Sequence, residues 1–133
     1  MDDLRCNLAI LGGGLAGSLI ALAMARHRPD ISLRLVERGK KLGGDHVWSF
    51  FASDLSDAGR ALVEPLVAAR WDGYDVHFPD FSRRLTTPYT SVTSDRLDAA
   101  VRAALPAEAI ITGAEVTATS PTQVLLSDGR TII

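Results

Sequence analysis

Cysteine is almost missing from this chain: Cys6 is the single one among 133 residues. One thiol makes neither an internal disulfide nor a multi-cysteine metal site. The usage fits a reducing cytoplasm, with Cys6 read as a small apolar residue beside the first strand. Long apolar runs are missing too; the longest, Leu19 to Ala25, falls far short of the roughly 20 residues a membrane-spanning helix needs. Positive charge is not in excess. The formal net charge is -2, and the arginine-rich spots, Arg26 to Arg28 and Arg83-Arg84, are too short to make a basic field, which excludes nucleic acid as a partner class. Three scattered histidines without clustered cysteine or aspartate partners form no metal-ligand set. Met1-Asp2-Asp3 is acidic where a secretory signal is basic, so no targeting peptide is read, and no repeat, low-complexity tract or linker stands out. What is present is a hydrophobic content of 47% over a length suited to one domain, the makeup of a chain that forms a core.

The most informative stretch lies near the start. Asn7 to Leu11 reads as an apolar strand and meets Gly12-Gly13-Gly14-Leu15-Ala16-Gly17, a G-x-G-x-x-G loop that opens a helix and predicts a dinucleotide site. Gly12 permits the tight turn, Gly14 lets a pyrophosphate approach the backbone, and Gly17 lets helix and strand pack closely. The phosphates would then face a helix N-terminus, where unpaired N–H groups and the positive end of the dipole favour an anion. Ala16 through Ala25 reads as that helix, with Gly17, Ala21 and Ala25 as a small-residue stripe; Arg26, His27 and Arg28 suit its C-terminal end and Pro29 stops it. Ile31 to Val36 reads as a second strand and delivers Glu37 about 20 residues past Gly17, the place where a βαβ unit of this kind puts the acid that binds ribose hydroxyls. A carboxylate there repels a 2′-phosphate, which leaves NAD and FAD as cofactors.

Beyond Glu37, the glycine- and charge-rich run Arg38 to His46 reads as a loop able to reach across a cofactor, with Gly43-Gly44 offering unobstructed N–H groups. Val47 to Phe51 is dense in aromatics and reads as core or as the wall of an apolar pocket. Ser56 caps a helix expected to run from Asp57 to about Val67, weakened by Gly59 and bent or shortened by Pro65. Tyr74 to Phe78, Arg83 to Leu85 and Tyr89 to Val92 suggest a small antiparallel sheet, with a turn at Pro79-Asp80. Thr93 or Ser94 caps a further helix that buries Leu97, Val101 and Leu105 and ends before Pro106; Arg96 sits in its first turn, where a cation calls for solvent or an anionic partner. Strand character returns at Ile110-Ile111, Glu115 to Thr119 and Gln123 to Leu126, with a hairpin turn at Ser127 to Arg130 leading into Thr131 to Ile133. An apolar strand ending at Ile133 is expected to leave an open edge, so the chain is read as truncated.

Gly12 to Gly17, Val36-Glu37-Arg38, Gly43-Gly44-Asp45-His46-Val47-Trp48-Ser49-Phe50 and Thr93 to Leu97 together resemble the N-terminal part of the bacterial lycopene β-cyclase family. The Gly-Gly-x-His-x-Trp-Ser-Phe run is its most specific element, and Asp45 stands where the family pattern has Asn. The resemblance covers nearly all of this chain and about the first third of a family member. It implies an α/β fold: a Rossmann-like FAD-binding βαβ unit with flavin loop over residues 1–46, followed by inserted helices and antiparallel strands over 47–133, with the substrate domain absent. Carried over by motif, Gly12, Gly14 and Gly17 would hold the pyrophosphate, Glu37 the adenosine ribose, Gly43, Gly44 and His46 the flavin side, and Arg96 would help through the cofactor phosphates, with Arg38 counted among the cofactor-binding residues. The implied reaction is acid-initiated cyclisation of the linear ends of lycopene to β-ionone rings on reduced FAD, without net redox, NAD(P)H serving only to keep the flavin reduced. The protonating acids of the family lie downstream of Ile133, so no catalytic residue is assigned here. A bilayer-dissolved carotene substrate implies peripheral attachment to the cytoplasmic face of the membrane. Two other readings share the motif: an FAD-dependent monooxygenase or dehydrogenase, and a non-catalytic dinucleotide-binding module.

Overall fold

The computed structural model describes residues 3–133. Strand β1 (Leu8–Leu11) runs into helix α1 (Leu15–His27) and returns as β2 (Leu33–Glu37), parallel to β1 with Ile10 opposite Leu35 and Leu11 opposite Val36. β2 is shorter at its start than the Ile31 to Val36 reading, and it includes Glu37 as its last residue. Helix α1 ends as its sequence dictates: Arg26 and His27 occupy the last turn, the Arg28 N–H closes on the Met24 carbonyl at 2.8 Å, and Pro29 follows.

The parallel sheet has a third member that the sequence placed only in the strand-rich tail. In chain order the remaining elements are β3 (Val47–Phe51), α2 (Asp57–Val63), β4 (Val67–Trp71), β5 (Tyr74–Phe78), β6 (Phe81–Leu85), β7 (Tyr89–Thr93), α3 (Ser94–Ala104), β8 (Ile110–Thr112), β9 (Val116–Ser120), β10 (Gln123–Leu126) and β11 (Thr131–Ile132). β8 pairs in parallel with the free side of β2, Val36 opposite Ile111, to give the order β1-β2-β8. Central β2 is therefore covered on both faces: Leu33 and Leu35 are buried toward one side and Val36 toward the other, while Arg34 and Glu37 stay partly exposed. Leu33 and Leu35 join one core with Ala21 of α1, Leu42, Leu66, Leu97 and Val101, while Val36 joins a second with Ile111, Ala114, Val124, Leu126 and Ile132. Helices α1 and α3 thus pack on one side of the sheet and the antiparallel sheet β11-β10-β9 on the other.

Three expectations are corrected. Helix α2 stops at Val63; Pro65 sits in a 3-10 turn over Glu64–Leu66, and Val67–Trp71 then becomes strand β4 rather than the end of a helix. Proline removes the N–H that helix continuation needs, and β7 offers a ready partner: the sheet order is β3-β7-β4, so the aromatic run Val47–Phe51 is also a strand. The expected single antiparallel sheet is divided, because β5 and β6 pair only with each other, as a hairpin turning at Pro79-Asp80. Finally, the strand ending at Ile133 has no open edge. It pairs with β10 on one side, while Leu4 N–H donates to Thr131 O at 2.8 Å, Ile133 N–H to Leu4 O at 2.8 Å and Cys6 N–H to Ile133 O at 3.1 Å on the other. Leu4 and half-buried Cys6 pack against the second core, as the reading of Cys6 anticipated.

Candidate functional site

The carboxyl ends of β1 and β2 bring the two sequence signals together. Gly12 turns the chain out of β1 with φ +103°, a conformation side-chain-bearing residues rarely adopt, while its N–H donates to Val36 O at 2.8 Å. Gly17 lies so close beneath this turn that a Cβ there would stand 2.0 Å from the Gly12 carbonyl oxygen and 3.3 Å from Ile10 Cγ2. At Gly14, by contrast, a Cβ would meet nothing within 4 Å. Gly14 is the N-cap of α1; no side chain caps the helix and its first turn holds no acidic residue. The exposed end of α1 consequently presents backbone N–H groups and the positive end of its dipole to open space.

Gly13 is the locked member of the loop. Its N–H donates to Glu37 Oε2 at 2.8 Å, and its carbonyl accepts from the Gly43 N–H at 2.7 Å and from the buried Ser18 hydroxyl at 3.1 Å. Glu37 in turn accepts from the Gly39 N–H through Oε1 at 2.7 Å. Each carboxylate oxygen has two acceptor positions, so one remains on each oxygen for a hydroxyl donor. Beside Glu37, Arg38 is exposed and lines a hollow of about 270 Å³ together with Leu11, Gly12, Ala114, Glu115 and Val116.

The second glycine pair is held in place by α3. Gly43 and Gly44 have φ of +78° and +63°, and a Cβ on buried Gly43 would press on Ser94, Leu97 and Trp48 at 3.0 to 3.2 Å. Three amides of this loop go to different partners: Leu42 N–H to Asp98 Oδ1 at 2.8 Å, Gly43 N–H to Gly13 O, and His46 N–H to Ser94 Oγ at 3.2 Å. Ser94 N–H answers on the His46 carbonyl at 3.0 Å. Lys41 pairs with Asp95 at 3.0 Å, and that carboxylate holds the ammonium above its ordinary pKa. The His46 ring is exposed and tilted against Trp48 with centroids 5.7 Å apart. Among the described residues no group of three or more His, Cys, Asp or Glu side chains is placed to hold a metal.

Eight of the nine residues singled out in the sequence therefore fall in two touching groups: Gly12, Gly14, Gly17, Glu37 and Arg38 around the carboxyl ends of β1 and β2 and the start of α1, and Gly43, Gly44 and His46 in the loop joined to them through Gly13. Arg96 stands apart from these contacts. Its amide is capped by Thr93 Oγ1 at 3.4 Å, and its exposed guanidinium bonds to none of the described residues. Sequence reasoning missed Ser18 and Asp98, and it read Ser94 only as a helix-cap candidate, whereas its hydroxyl accepts the His46 N–H. Of the two that were missed, only Asp98 left a trace, as the first member of an i,i+4 pair with Arg102 at 3.0 Å.

This geometry defines a mixed α/β protein with a glycine-rich strand-to-helix junction at the carboxyl edge of a parallel sheet. Solved structures share its fold. The tetrameric form of 2-methyl-3-hydroxypyridine-5-carboxylic acid oxygenase matches with a TM-score of 0.68 at 22% identity, over 98% of this chain and 37% of that one. 2,6-Dihydroxypyridine-3-hydroxylase from Arthrobacter nicotinovorans matches with a TM-score of 0.64 at 14% identity, over 98% and 35%. The particular family follows from sequence: the family model described as "Lycopene cyclase protein" matches residues 7–133, and the chain belongs to that family. It is 41% identical over 127 residues to a lycopene beta-cyclase of Pseudescherichia vulneris, covering 96% of this chain and 33% of the relative. A lycopene beta-cyclase of Paracoccus sp. is 35% identical over 127 residues, covering 95% and 31%. The chain thus spans about a third of the length of these curated relatives.

Proposed function

We propose that this chain is the FAD-holding, Rossmann-like part of a lycopene β-cyclase that closes the linear ends of lycopene into β-ionone rings. The observation that carries the reading is the juxtaposition of the uncapped start of α1, open above Gly14, with a Glu37 carboxylate that keeps acceptor capacity on both oxygens. An adenine dinucleotide fits that pair. Its pyrophosphate would meet the N–H groups at the start of α1, its ribose hydroxyls would donate to Glu37, and its adenine end would reach the hollow beside Arg38 and Ala114. Gly43, Gly44 and His46 would border the flavin end, and Arg96, free of protein partners among the described residues, would add positive charge for the phosphates. When bound and reduced, FAD would supply negative charge to stabilise positive charge developing on the substrate, without net electron transfer. The residues of this chain would bind and orient that group.

In this reading NAD(P)H keeps the flavin reduced, and the parent protein meets its bilayer-dissolved substrate at the cytoplasmic membrane face. The oxygenase alternative rests on fold likeness at 14–22% identity, whereas the cyclase reading rests on family membership. The deciding experiment is on the full-length parent. Glu37→Arg is expected to abolish flavin retention on purification, and the unaltered protein to cyclise lycopene without consuming NADH in proportion to product. Full flavin occupancy in the variant removes the ribose role of Glu37; NADH consumption matched to product removes the cyclase chemistry.

A further inference from the structure

Asp98 lies 56 residues from the loop it touches and belongs to no glycine motif, yet it holds the second glycine loop in register with the first. Its Oδ1 accepts the Leu42 N–H at 2.8 Å while Oδ2 is held by Arg102 Nε at 3.0 Å, and the side chain is only 17% exposed. The very next amide, that of Gly43, donates to the Gly13 carbonyl at 2.7 Å, and the Gly13 N–H is held by Glu37. One strut therefore runs from α3 through Leu42 and Gly43 to the loop that opens α1. Arg102 braces the same loop with a second, weaker contact from Nη2 to the Lys40 carbonyl at 3.4 Å.

We propose that Asp98 is a positioning residue for FAD: by fixing the Leu42 amide it sets the distance between the Gly43-Gly44 loop and the Gly12–Gly17 loop, and so pre-organises both ends of the cofactor site. The inference rests on the FAD reading given above. Its physical basis is that a buried N–H left without an acceptor costs far more than an exposed ion pair is worth. The part of Asp98 that matters is thus its acceptor oxygen, and its charge pair with the 43%-exposed Arg102 matters little.

The test is titration of FAD into the flavin-free full-length parent carrying each substitution, followed by flavin fluorescence, with far-UV circular dichroism to establish that each variant is folded. Asp98→Ala, which leaves the Leu42 N–H unpaired, is expected to raise the FAD Kd about tenfold or more. Asp98→Asn keeps an acceptor for that N–H and is expected to stay within about threefold of the unaltered parent, as is Arg102→Ala. Asp98→Glu retains charge and acceptor but sets them about 1.5 Å further out, one carbon–carbon bond. It is expected to weaken binding several-fold while remaining folded, which keeps the test decisive if Asp98→Ala does not fold. Binding by Asp98→Glu and by any folded Asp98→Ala as tight as that of the unaltered parent overturns the inference and leaves the cofactor reading standing. Loss of binding in Asp98→Asn equal to that in Asp98→Glu also overturns it. An unaltered full-length parent that takes up no FAD overturns the cofactor reading and this inference together.

Discussion

Gly17 and Gly14 belong to the same motif, yet the structure assigns them opposite kinds of work, and replacing each with alanine separates the two. In an ordinary helix interior Gly→Ala stabilises by about 1 kcal/mol. At Gly17 the added Cβ would lie 2.0 Å from the Gly12 carbonyl oxygen, at least 1 Å inside any tolerable contact, and 3.3 Å from Ile10 Cγ2. Either the Gly12 turn or the start of α1 must give way, the overpacking situation that costs about 1–3 kcal/mol. A 2.0 Å contact with backbone puts the cost at the top of that range, and the helix-propensity gain removes about 1 kcal/mol, so Gly17→Ala is expected to lose about 2 kcal/mol, read as a fall of about 7 °C in Tm. At Gly14 the new Cβ meets nothing within 4 Å and φ is -70°. Losing glycine at an N-cap and gaining a stiffer unfolded chain nearly cancel, which leaves stability within about 0.5 kcal/mol. On the proposed FAD reading that Cβ would enter the space meant for the pyrophosphate, so FAD binding is expected to fall while the fold holds. Urea and thermal unfolding by circular dichroism, with FAD titration of both variants, make the assay. A Gly17→Ala protein as stable as the original refutes the close approach of helix and turn, and a Gly14→Ala protein with undiminished FAD affinity refutes the phosphate path.

Other expectations follow from the same contacts. Glu37→Gln replaces one of two acceptors for the Gly13 and Gly39 amides with a donor, and is expected to cost about 1–3 kcal/mol in urea unfolding even without cofactor; unchanged stability would show that the carboxylate does not brace the loop. Leu42, fully buried between the loop and α3, is expected to cost about 2–5 kcal/mol as alanine, checked by the same unfolding curve; a loss below 1 kcal/mol would contradict its core position. Asp128, whose carboxyl is held below its usual range by Arg130, contributes stability that is present above the unfolded-state pKa and is lost as pH falls through the lower folded-state value. Asp128→Asn is therefore expected to narrow the stability difference between neutral and acidic pH; an unaltered pH profile would deny the pair any role.

How much of this was legible in the sequence depended on how local each cause was. The path from β1 through the glycine loop to α1, β2 and Glu37 is written in adjacent residues: a turn glycine, a small-residue stripe, a basic helix end and a proline stop. The hairpin turn at Ser127 to Arg130, with Gly129 at φ +88°, was equally readable. The misreadings fall where a partner distant in sequence decides. Val67–Trp71 carries no alternating pattern and becomes β4 because β7 pairs with it, just as β8 joins β2 across more than 70 residues. Tertiary pairing overrides local propensity in such segments. Within the site, Asp98 and Ser18 escaped notice because each bonds to a backbone group of another loop or turn, Leu42 N–H and Gly13 O, which no side-chain motif encodes. Arg96, a cation in a helix's first turn with no favourable dipole partner, has a guanidinium that bonds to none of the described residues, and its side chain carries no local signal that separates a solvated role from an anion-binding one.

The central claim is that an adenine dinucleotide lies across the start of α1 with its ribose on Glu37. Amide chemical shifts of the ¹⁵N-labelled chain, followed as FAD is added, test it most directly. The account requires saturable shifts at Gly12, Gly14, Leu15, Ala16 and Gly39, with Gly43 and Gly44 moving in step. Binding that shifts another surface while those amides stay still, or no saturable shift at any amide, would contradict it.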